Sequence, residues 1–72
     1  MVQIFNPNIS GNRIKQKRMA MGLTQKELAK QSGLSLSAIK SFECGKRVPD
    51  TRSLFLLSDV LMISERYIVG WE

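Results

Sequence analysis

Histidine is absent from this 72-residue chain, and cysteine occurs once, as Cys44. Zinc sites, internal disulfides and imidazole-based acid–base catalysis therefore lack the residues they commonly need. A cysteine nucleophile would also have no histidine to activate it. We expect no catalytic residues, no metal and no cofactor, and we interpret Cys44 as an inert residue in a turn, with an intermolecular redox switch as the alternative.

Long apolar runs are also missing. The longest mostly apolar stretch, residues 54–63, is interrupted by Ser58 and Asp59 and is too short to span a bilayer. Residues 1–8 show no basic start followed by an apolar run, so we expect no signal peptide and a cytoplasmic location. A hydrophobic content of 43% and a mean hydropathy of −0.12 are typical of a single small folded domain.

Positive charge is concentrated in the first two-thirds of the chain. Residues 1–52 contain ten Lys and Arg residues against three acidic ones, a net charge of +7, whereas residues 53–72 carry −2. A basic segment of this kind favours a polyanionic partner. Solvated helix faces would give the same composition, so charge alone leaves both interpretations open.

Capping residues and glycines divide the chain into five predicted helices and no strands. Thr24 and Glu27 are spaced as a capping box, in which each side chain satisfies a backbone N–H of the other residue. That helix is expected to run to about Ser32 and to end at Gly33. The other helices are expected to start at Asn8 or Ser10, Ser35, Asp50 or Thr51, and Ser64, and the first and third to end near Gly22 and Gly45.

The apolar spacing indicates which face of each helix is buried. The first helix is unusual, because Arg18 falls on a stripe whose other members are apolar. The expected inner residues are Ile14 and Met21 in the first helix, Leu54, Leu57 and Leu61 in the fourth, and Tyr67 and Ile68 in the last.

The second and third helices are spaced as a helix-turn-helix. Ala29 is small enough for a close helix crossing, and Gly33 can adopt the positive φ that a sharp helix exit demands. Ile39 and Phe42, three residues apart, close the angle from the far side. In DNA-binding proteins this angle lays the second helix of the motif in the major groove.

Several segments of the chain follow one another in a characteristic order and spacing. They are LTQKELA at Leu23–Ala29, then Gly33 and Ile39, then Glu43, Gly45 and Pro49, then Leu54, Leu57 and Leu61, and last ISERYIVG at Ile63–Gly70. In these segments the chain resembles the lambda-repressor-like helix-turn-helix family (Cro/repressor, xenobiotic-response-element type) over roughly residues 9–70. The resemblance implies an all-α, compact five-helix DNA-binding domain spanning residues 9–72, with residues 1–8 as an N-terminal segment. It also implies binding to double-stranded DNA as a homodimer, and repression of transcription.

The outward face of the third helix is the expected base-reading surface. Lys40 can donate hydrogen bonds to guanine, and Leu36 can contact a thymine methyl group. Serine hydroxyls pair with more than one base, so direct readout is expected to be modest and DNA shape to supply much of the rest. The predicted base-reading residues are Ser35, Leu36, Ser37, Lys40 and Ser41.

Phosphate contacts are expected around that face. Gln25 lies in the first turn of the second helix, where free N–H groups and the helix dipole attract a phosphate, and the family resemblance implies the same role. Lys46, Arg47 and Arg52 follow the recognition helix and could bind the flanking strand. The alternative for these three residues is ordinary solvated charge.

Arg18 and Glu43 are expected to pair with each other. The resemblance implies an internal salt bridge between these positions, and a partly buried Arg requires a carboxylate because an unpaired buried charge is costly. Two independent surface charges are the alternative.

The acidic and apolar C-terminal part is the expected dimer contact. Its candidates, which the core stripe does not need, are Phe55, Leu56, Val69 and Trp71. The predicted function is a sequence-specific DNA-binding transcriptional regulator, namely a repressor that binds a near-palindromic operator as a dimer. The alternative is a protein-interaction module on the same fold, such as an antitoxin or a bridging coactivator. We expect no small-molecule ligand and no membrane association.

Overall fold

The structure, a computed structural model, describes residues 7–71, which form five helices and no strand. The helices are α1 (Pro7–Ala20), α2 (Gln25–Ser32), α3 (Leu36–Glu43), α4 (Thr51–Leu61) and α5 (Glu65–Val69). The first helix, α1, packs against α3, α4 and α5, and α2 packs against α3 and α4. This arrangement confirms the predicted all-α, five-helix architecture.

The first helix begins earlier than predicted. Pro7 is its first residue, a favourable position because the ring fixes φ and the missing N–H would have no partner within the helix. The predicted starts at Asn8 and Ser10 are wrong, since both residues lie inside α1. The helix ends at Ala20, so Met21 lies beyond it and is exposed rather than on the buried stripe.

The close crossing of α1 and α3 depends on a glycine that the sequence analysis did not single out. A Cβ atom at Gly11 would lie 2.5 Å from the carbonyl oxygen of Phe42 and 2.7 Å from that of Glu43. Both distances are too short for any side chain. Ser10 and Ile14, on the same side of α1, are fully buried. Gly11 therefore allows α1 to approach the end of α3 closely.

The helix-turn-helix forms as predicted. The hydroxyl of Thr24 accepts the Glu27 N–H at 3.0 Å, while the Glu27 carboxylate accepts the Thr24 N–H at 2.8 Å, which completes the capping box. Gly33 ends α2 with φ 79° in the left-handed region. Ile39 and Phe42 are fully buried on the inner side of α3.

The second half of the core comes from α4 and α5. Asp50 caps α4 by accepting the Ser53 N–H at 2.7 Å, and Met62 ends it with φ 58°, a left-handed conformation that glycine or asparagine adopts more easily. In α5 the prediction for Tyr67 is wrong, because this side chain is exposed and Val69 is buried beside Ile68. The buried residues of the two helices are Leu54, Leu57, Leu61, Ile68 and Val69.

Hydrogen bonds at the caps change the acidity of two carboxyls. The backbone N–H of Ser53, followed by its hydroxyl, holds the pKa of Asp50 below its usual value, with smaller contributions from Arg47 and Arg52. Thr24 lowers the pKa of Glu27 in the same way. No helix within residues 7–71 is long and apolar enough to cross a membrane.

Candidate nucleic-acid interface

A shallow groove runs along the outward face of α3 and across the start of α2. It brings together four of the five predicted base-reading residues and two predicted phosphate contacts. The phosphate contacts are Gln25, from the start of α2, and Lys46, from the loop after α3. Lys40 and Ser37 are exposed, and Leu36 and Ser41 are half-buried. The groove is lined by Gln25, Leu36, Ser37, Lys40, Ser41, Cys44 and Lys46.

Ser35, the fifth predicted base-reading residue, does not line this groove. It is exposed and caps α3, and its hydroxyl oxygen accepts the Ala38 N–H at 3.0 Å. The hydroxyl oxygen is therefore engaged as an acceptor in capping α3. Its O–H can still donate a hydrogen bond outward.

Lys15 is a basic residue that the sequence analysis missed. It lies on α1, yet it shares a recess with Gln25, Lys40, Glu43 and Cys44 beside the groove. The sequence contained a signal for its position. Lys15 lies three residues before Arg18 and so projects from a neighbouring part of the same helix surface. Its ammonium group extends the positive edge of the groove onto a third helix.

A bidentate ion pair fixes the end of α3 against α1. The Arg18 guanidinium donates from Nε to Glu43 Oε2 at 2.7 Å and from Nη2 to Glu43 Oε1 at 3.1 Å. The side chains are only 11% and 4% exposed. Arg18 Nη1 also donates to the Leu23 carbonyl at 2.7 Å, which ties in the turn before α2. The predicted salt bridge is confirmed, and the alternative of independent surface charges is wrong.

Gln25 belongs to the same network. Its Nε2 donates to Glu43 Oε1 at 3.1 Å, so this hydrogen bond holds the side chain at the groove. Gln25 is also the first residue of α2, where backbone N–H groups without helical acceptors face outward. The network thus sets the position of the α2 N-terminus relative to α3, the arrangement that a phosphate would contact.

The basic loop after α3 folds back onto that helix. The backbone N–H groups of Lys46 and Arg47 both donate to the Ser41 carbonyl, at 3.0 and 3.3 Å. The Arg47 guanidinium carbon lies 5.3 Å from the centroid of the Phe42 ring, within cation–π range. Lys46 lines the groove, whereas Arg47 and Arg52 do not, so their predicted phosphate contacts remain predictions.

The predicted dimer residues divide into exposed and buried ones. Val69 is 5% exposed and packs in the core, so it offers no surface to a second chain, and its assignment as a dimer contact is wrong. Phe55 and Trp71 are exposed, at 60% and 45% respectively. Leu56 is half-buried.

The fold and this arrangement define a helix-turn-helix protein, and a family model described as Helix-turn-helix matches residues 14–72. The chain belongs to that family. It is 35% identical over 60 residues to the HTH-type transcriptional regulator ImmR of Bacillus subtilis, covering 83% of this chain and 47% of ImmR. It is also 35% identical over 58 residues to the CTXphi transcriptional repressor RstR of Vibrio cholerae, covering 81% of this chain and 52% of RstR.

A solved structure of the P22 c2 repressor in complex with a synthetic operator has the same fold. The TM-score is 0.84 at 30% sequence identity, and the match covers 89% of this chain and 97% of that one. The chain spans about half the length of the curated relatives it matches.

Proposed function

We propose that this protein is a sequence-specific DNA-binding transcriptional regulator, and that it represses transcription by occupying a near-palindromic operator as a two-fold dimer. The observation that carries the proposal is the groove along α3. It combines exposed Lys40 and Lys46 with serine hydroxyls and one apolar side chain, Leu36. Cations bind phosphates, and these hydroxyl and apolar groups match base edges in a major groove.

The buried network supports the proposal because it holds the reading helix rigidly. Glu43 accepts hydrogen bonds from both Arg18 and Gln25, so α1, α2 and α3 have fixed relative positions at the edge of the groove. A protein that reads base edges needs such a fixed geometry, since hydrogen-bond readout fails when the donor is misplaced by about an ångström.

The relatives support the regulatory part of the proposal. ImmR is named a transcriptional regulator, RstR a transcriptional repressor, and the P22 c2 repressor was solved with an operator. In the proposed mechanism, α3 enters the major groove while the α2 N-terminus and Lys46 contact the flanking backbone. Repression follows because a bound dimer covers promoter DNA.

Selection of bound duplexes from a random pool tests the proposal. The expected result is an enriched motif with two half-sites related by a dyad, about one helical turn apart. Affinity for that motif, measured over a salt series, should fall steeply, because binding releases cations from the phosphates and added salt makes that release less favourable. Failure to enrich any motif, together with no duplex binding at very low salt, would contradict the proposal and favour a protein-interaction module.

A further inference from the structure

A cleft between α1 and α5 takes no part in the proposed DNA contacts. Its volume of about 530 Å³ is within the range of ligand-binding clefts. One wall comes from α1 and is cationic, whereas the opposite wall comes from α5 and the two residues before it and is mainly apolar. The α1 wall includes Arg13, Gln16 and Lys17, and the opposite wall includes Ile63, Ser64 and Tyr67.

Lys17 is a cation of this cleft that lacks an anion. It is half-buried, yet within residues 7–71 its ammonium group forms no hydrogen bond or ion pair. Such a position is unfavourable for a charge, because burial removes water from it and supplies nothing in return. None of the described residues that line the cleft is acidic, since Glu65, which follows Ser64 in the sequence, lies outside it. An anionic group entering the cleft would therefore meet Lys17 without a competing carboxylate.

Arg13 is held in position by α5. Its Nη1 donates to the Tyr67 carbonyl oxygen, and its guanidinium carbon lies 4.2 Å from the centroid of the Tyr67 ring. These contacts restrict the guanidinium to a narrow set of positions, so an anion that binds it loses little conformational entropy. Arg13 and Lys17 are four residues apart, which places them on one side of α1 and about 6 Å apart along its axis.

The cleft lies on the side of α1 away from the groove along α3. Lys15 shares the recess beside that groove, whereas Arg13 and Lys17, two residues before and after it, line the cleft. Two residues correspond to a rotation of about 200° around an α-helix, so the two surfaces face nearly opposite directions. A molecule bound in the cleft therefore leaves the α3 groove open.

We propose that the cleft between α1 and α5 binds an extended segment of a partner protein in which acidic and apolar residues alternate. In an extended segment every second side chain points the same way, and such positions are about 6.6 Å apart, close to the spacing of Arg13 and Lys17. The acidic side chains pair with these two cations, while the apolar ones contact Ile63 and Tyr67 on the opposite wall. Phosphates of a nucleic acid would leave that apolar wall uncovered. The proposal goes beyond DNA binding, because it gives the regulator a docking site for a second protein.

Titration of the ¹⁵N-labelled chain with an end-blocked peptide, Gly-Glu-Leu-Glu-Leu-Gly, tests the proposal without DNA. Two-dimensional NMR at low salt reports both the site and the affinity. We expect amide shifts confined to the cleft, with a dissociation constant on the order of 1 mM, because two partly exposed ion pairs and two apolar contacts are individually weak. The shuffled peptide Gly-Glu-Glu-Leu-Leu-Gly has the same charge and composition. It should bind about fivefold more weakly, because its adjacent acids point in opposite directions and only one can reach the α1 wall.

Charge reversal on α1 tests the direct contact. Lys17→Glu places an acid opposite a glutamate of the alternating peptide, so binding should weaken about tenfold. Lys15→Glu makes the same change on the other side of α1 and should bind the peptide within about twofold of wild type. Two charge-swapped peptides carry lysine in place of the first or the second glutamate. One of them should bind Lys17→Glu about as well as the alternating peptide binds wild type, a recovery that also requires the variant to be folded.

Four results would overturn the inference. They are no shifts with the alternating peptide up to about 10 mM, shifts outside the cleft, equal binding of the shuffled peptide, and equal effects of Lys15→Glu and Lys17→Glu. Displacement of the alternating peptide by a DNA duplex would also overturn it, because the cleft would then be a phosphate site. The peptide titrations require no operator, and selection of bound duplexes requires no peptide, so this inference and the proposed function fail separately.

Discussion

The N-terminal three helices and the C-terminal two helices use charge in opposite ways. In α1–α3, Arg18 and Glu43 are buried together and tied to Gln25 and to the Leu23 carbonyl. In α4 and α5 the buried residues are almost all apolar, and the charges of α4 lie outside. The first region thus combines a buried ion pair with packing, whereas the second has an apolar core with hydrogen bonds at its helix caps and from Arg13 to the Tyr67 carbonyl.

This difference matters because apolar packing constrains the position of a helix less strictly than directional hydrogen bonds do. Apolar contacts tolerate small shifts of a helix, while a bidentate Arg–carboxylate pair fixes both distance and angle. The groove on α3 lies beside the directional network. The core of α4 and α5 completes the domain.

Breaking the network should have the largest effect. Glu43→Ala leaves the Arg18 side chain, which is 11% exposed in the intact pair, without its carboxylate, and removes the acceptor of Gln25. Loss of one partner of a buried pair costs about 3 kcal/mol or more, so the melting temperature should fall by roughly 15 °C. Thermal melts followed by circular dichroism measure this change. Glu65→Ala, an exposed carboxylate in α5, is the control, and a shift near zero for Glu43→Ala would refute the structural role of the pair.

Gly11→Ala should have the next largest effect, and whether it raises or lowers the free energy of unfolding is informative. Alanine normally stabilises a helix relative to glycine by roughly 0.5–1 kcal/mol. At position 11, however, the added Cβ would lie 2.5 Å from the Phe42 carbonyl oxygen, so α1 and α3 must separate. We expect a loss of about 2 kcal/mol in urea unfolding. Asn12→Ala, at the neighbouring exposed position, should leave stability unchanged or raise it; a stabilising Gly11→Ala would mean that the crossing is looser than described.

Lys40→Ala should weaken and relax DNA recognition without changing stability. Lys40 is exposed in the groove, and a side chain that contacts a base typically contributes about 1–3 kcal/mol of discrimination. Affinity for the selected duplex should fall about tenfold, and base preference at one position of each half-site should weaken. Lys30→Ala removes the same charge from the exposed end of α2 and controls for electrostatics. An unchanged base preference would exclude Lys40 as a reader.

Met62→Gly should stabilise the C-terminal region modestly. Met62 is 82% exposed and holds φ 58°, so its side chain contributes little contact while its backbone is strained. Glycine adopts this conformation freely, and the expected gain is about 1 kcal/mol or less. The midpoint of urea unfolding measures it. Ser58→Gly, inside the same helix, should destabilise; a loss of stability in Met62→Gly would indicate a contact that the exposed side chain does make.

The cap at α4 should give the smallest effect, and this effect should disappear in acid. The pKa of Asp50 is lowered in the folded chain, so its stabilisation is complete above the unfolded pKa and is lost as the pH falls through the folded value. That window lies below about pH 4. Asp50→Asn keeps a capping oxygen but cannot titrate, so the melting temperatures of the two proteins should differ at neutral pH and converge as the pH falls through this range. Parallel pH profiles would contradict a role for the ionised cap.

Local capping rules predicted most of the fold from the sequence. Thr24 with Glu27, Ser35 and Ser64 each start a helix where expected, because an N-cap is decided by a few neighbouring residues. The five-residue α5 was predicted less well. A helix barely longer than one turn gives too little periodicity to decide that Val69 rather than Tyr67 faces the core.

Features that depend on contacts between helices were harder to predict. The close approach at Gly11 requires knowledge of how α1 crosses α3, and Lys15 joins the groove only because that crossing brings α1 beside Gln25 and Lys40. The Arg18–Glu43 pair was predicted from the family resemblance and from the unusual position of Arg18 on an apolar stripe. The sequence also predicted the outward residues of α3, because removing the core positions Ile39 and Phe42 leaves them as the remaining face.

The central claim is that the groove along α3 contacts duplex DNA. Titration of the ¹⁵N-labelled chain with a duplex selected from a random pool, followed by two-dimensional NMR at low salt, tests it residue by residue. We expect the largest amide shifts at Gln25, Ser37, Lys40, Ser41 and Lys46, and small shifts at Glu65 and Arg66 on α5. Shifts concentrated on α4 and α5 with α3 unaffected, or no shifts at all, would contradict it.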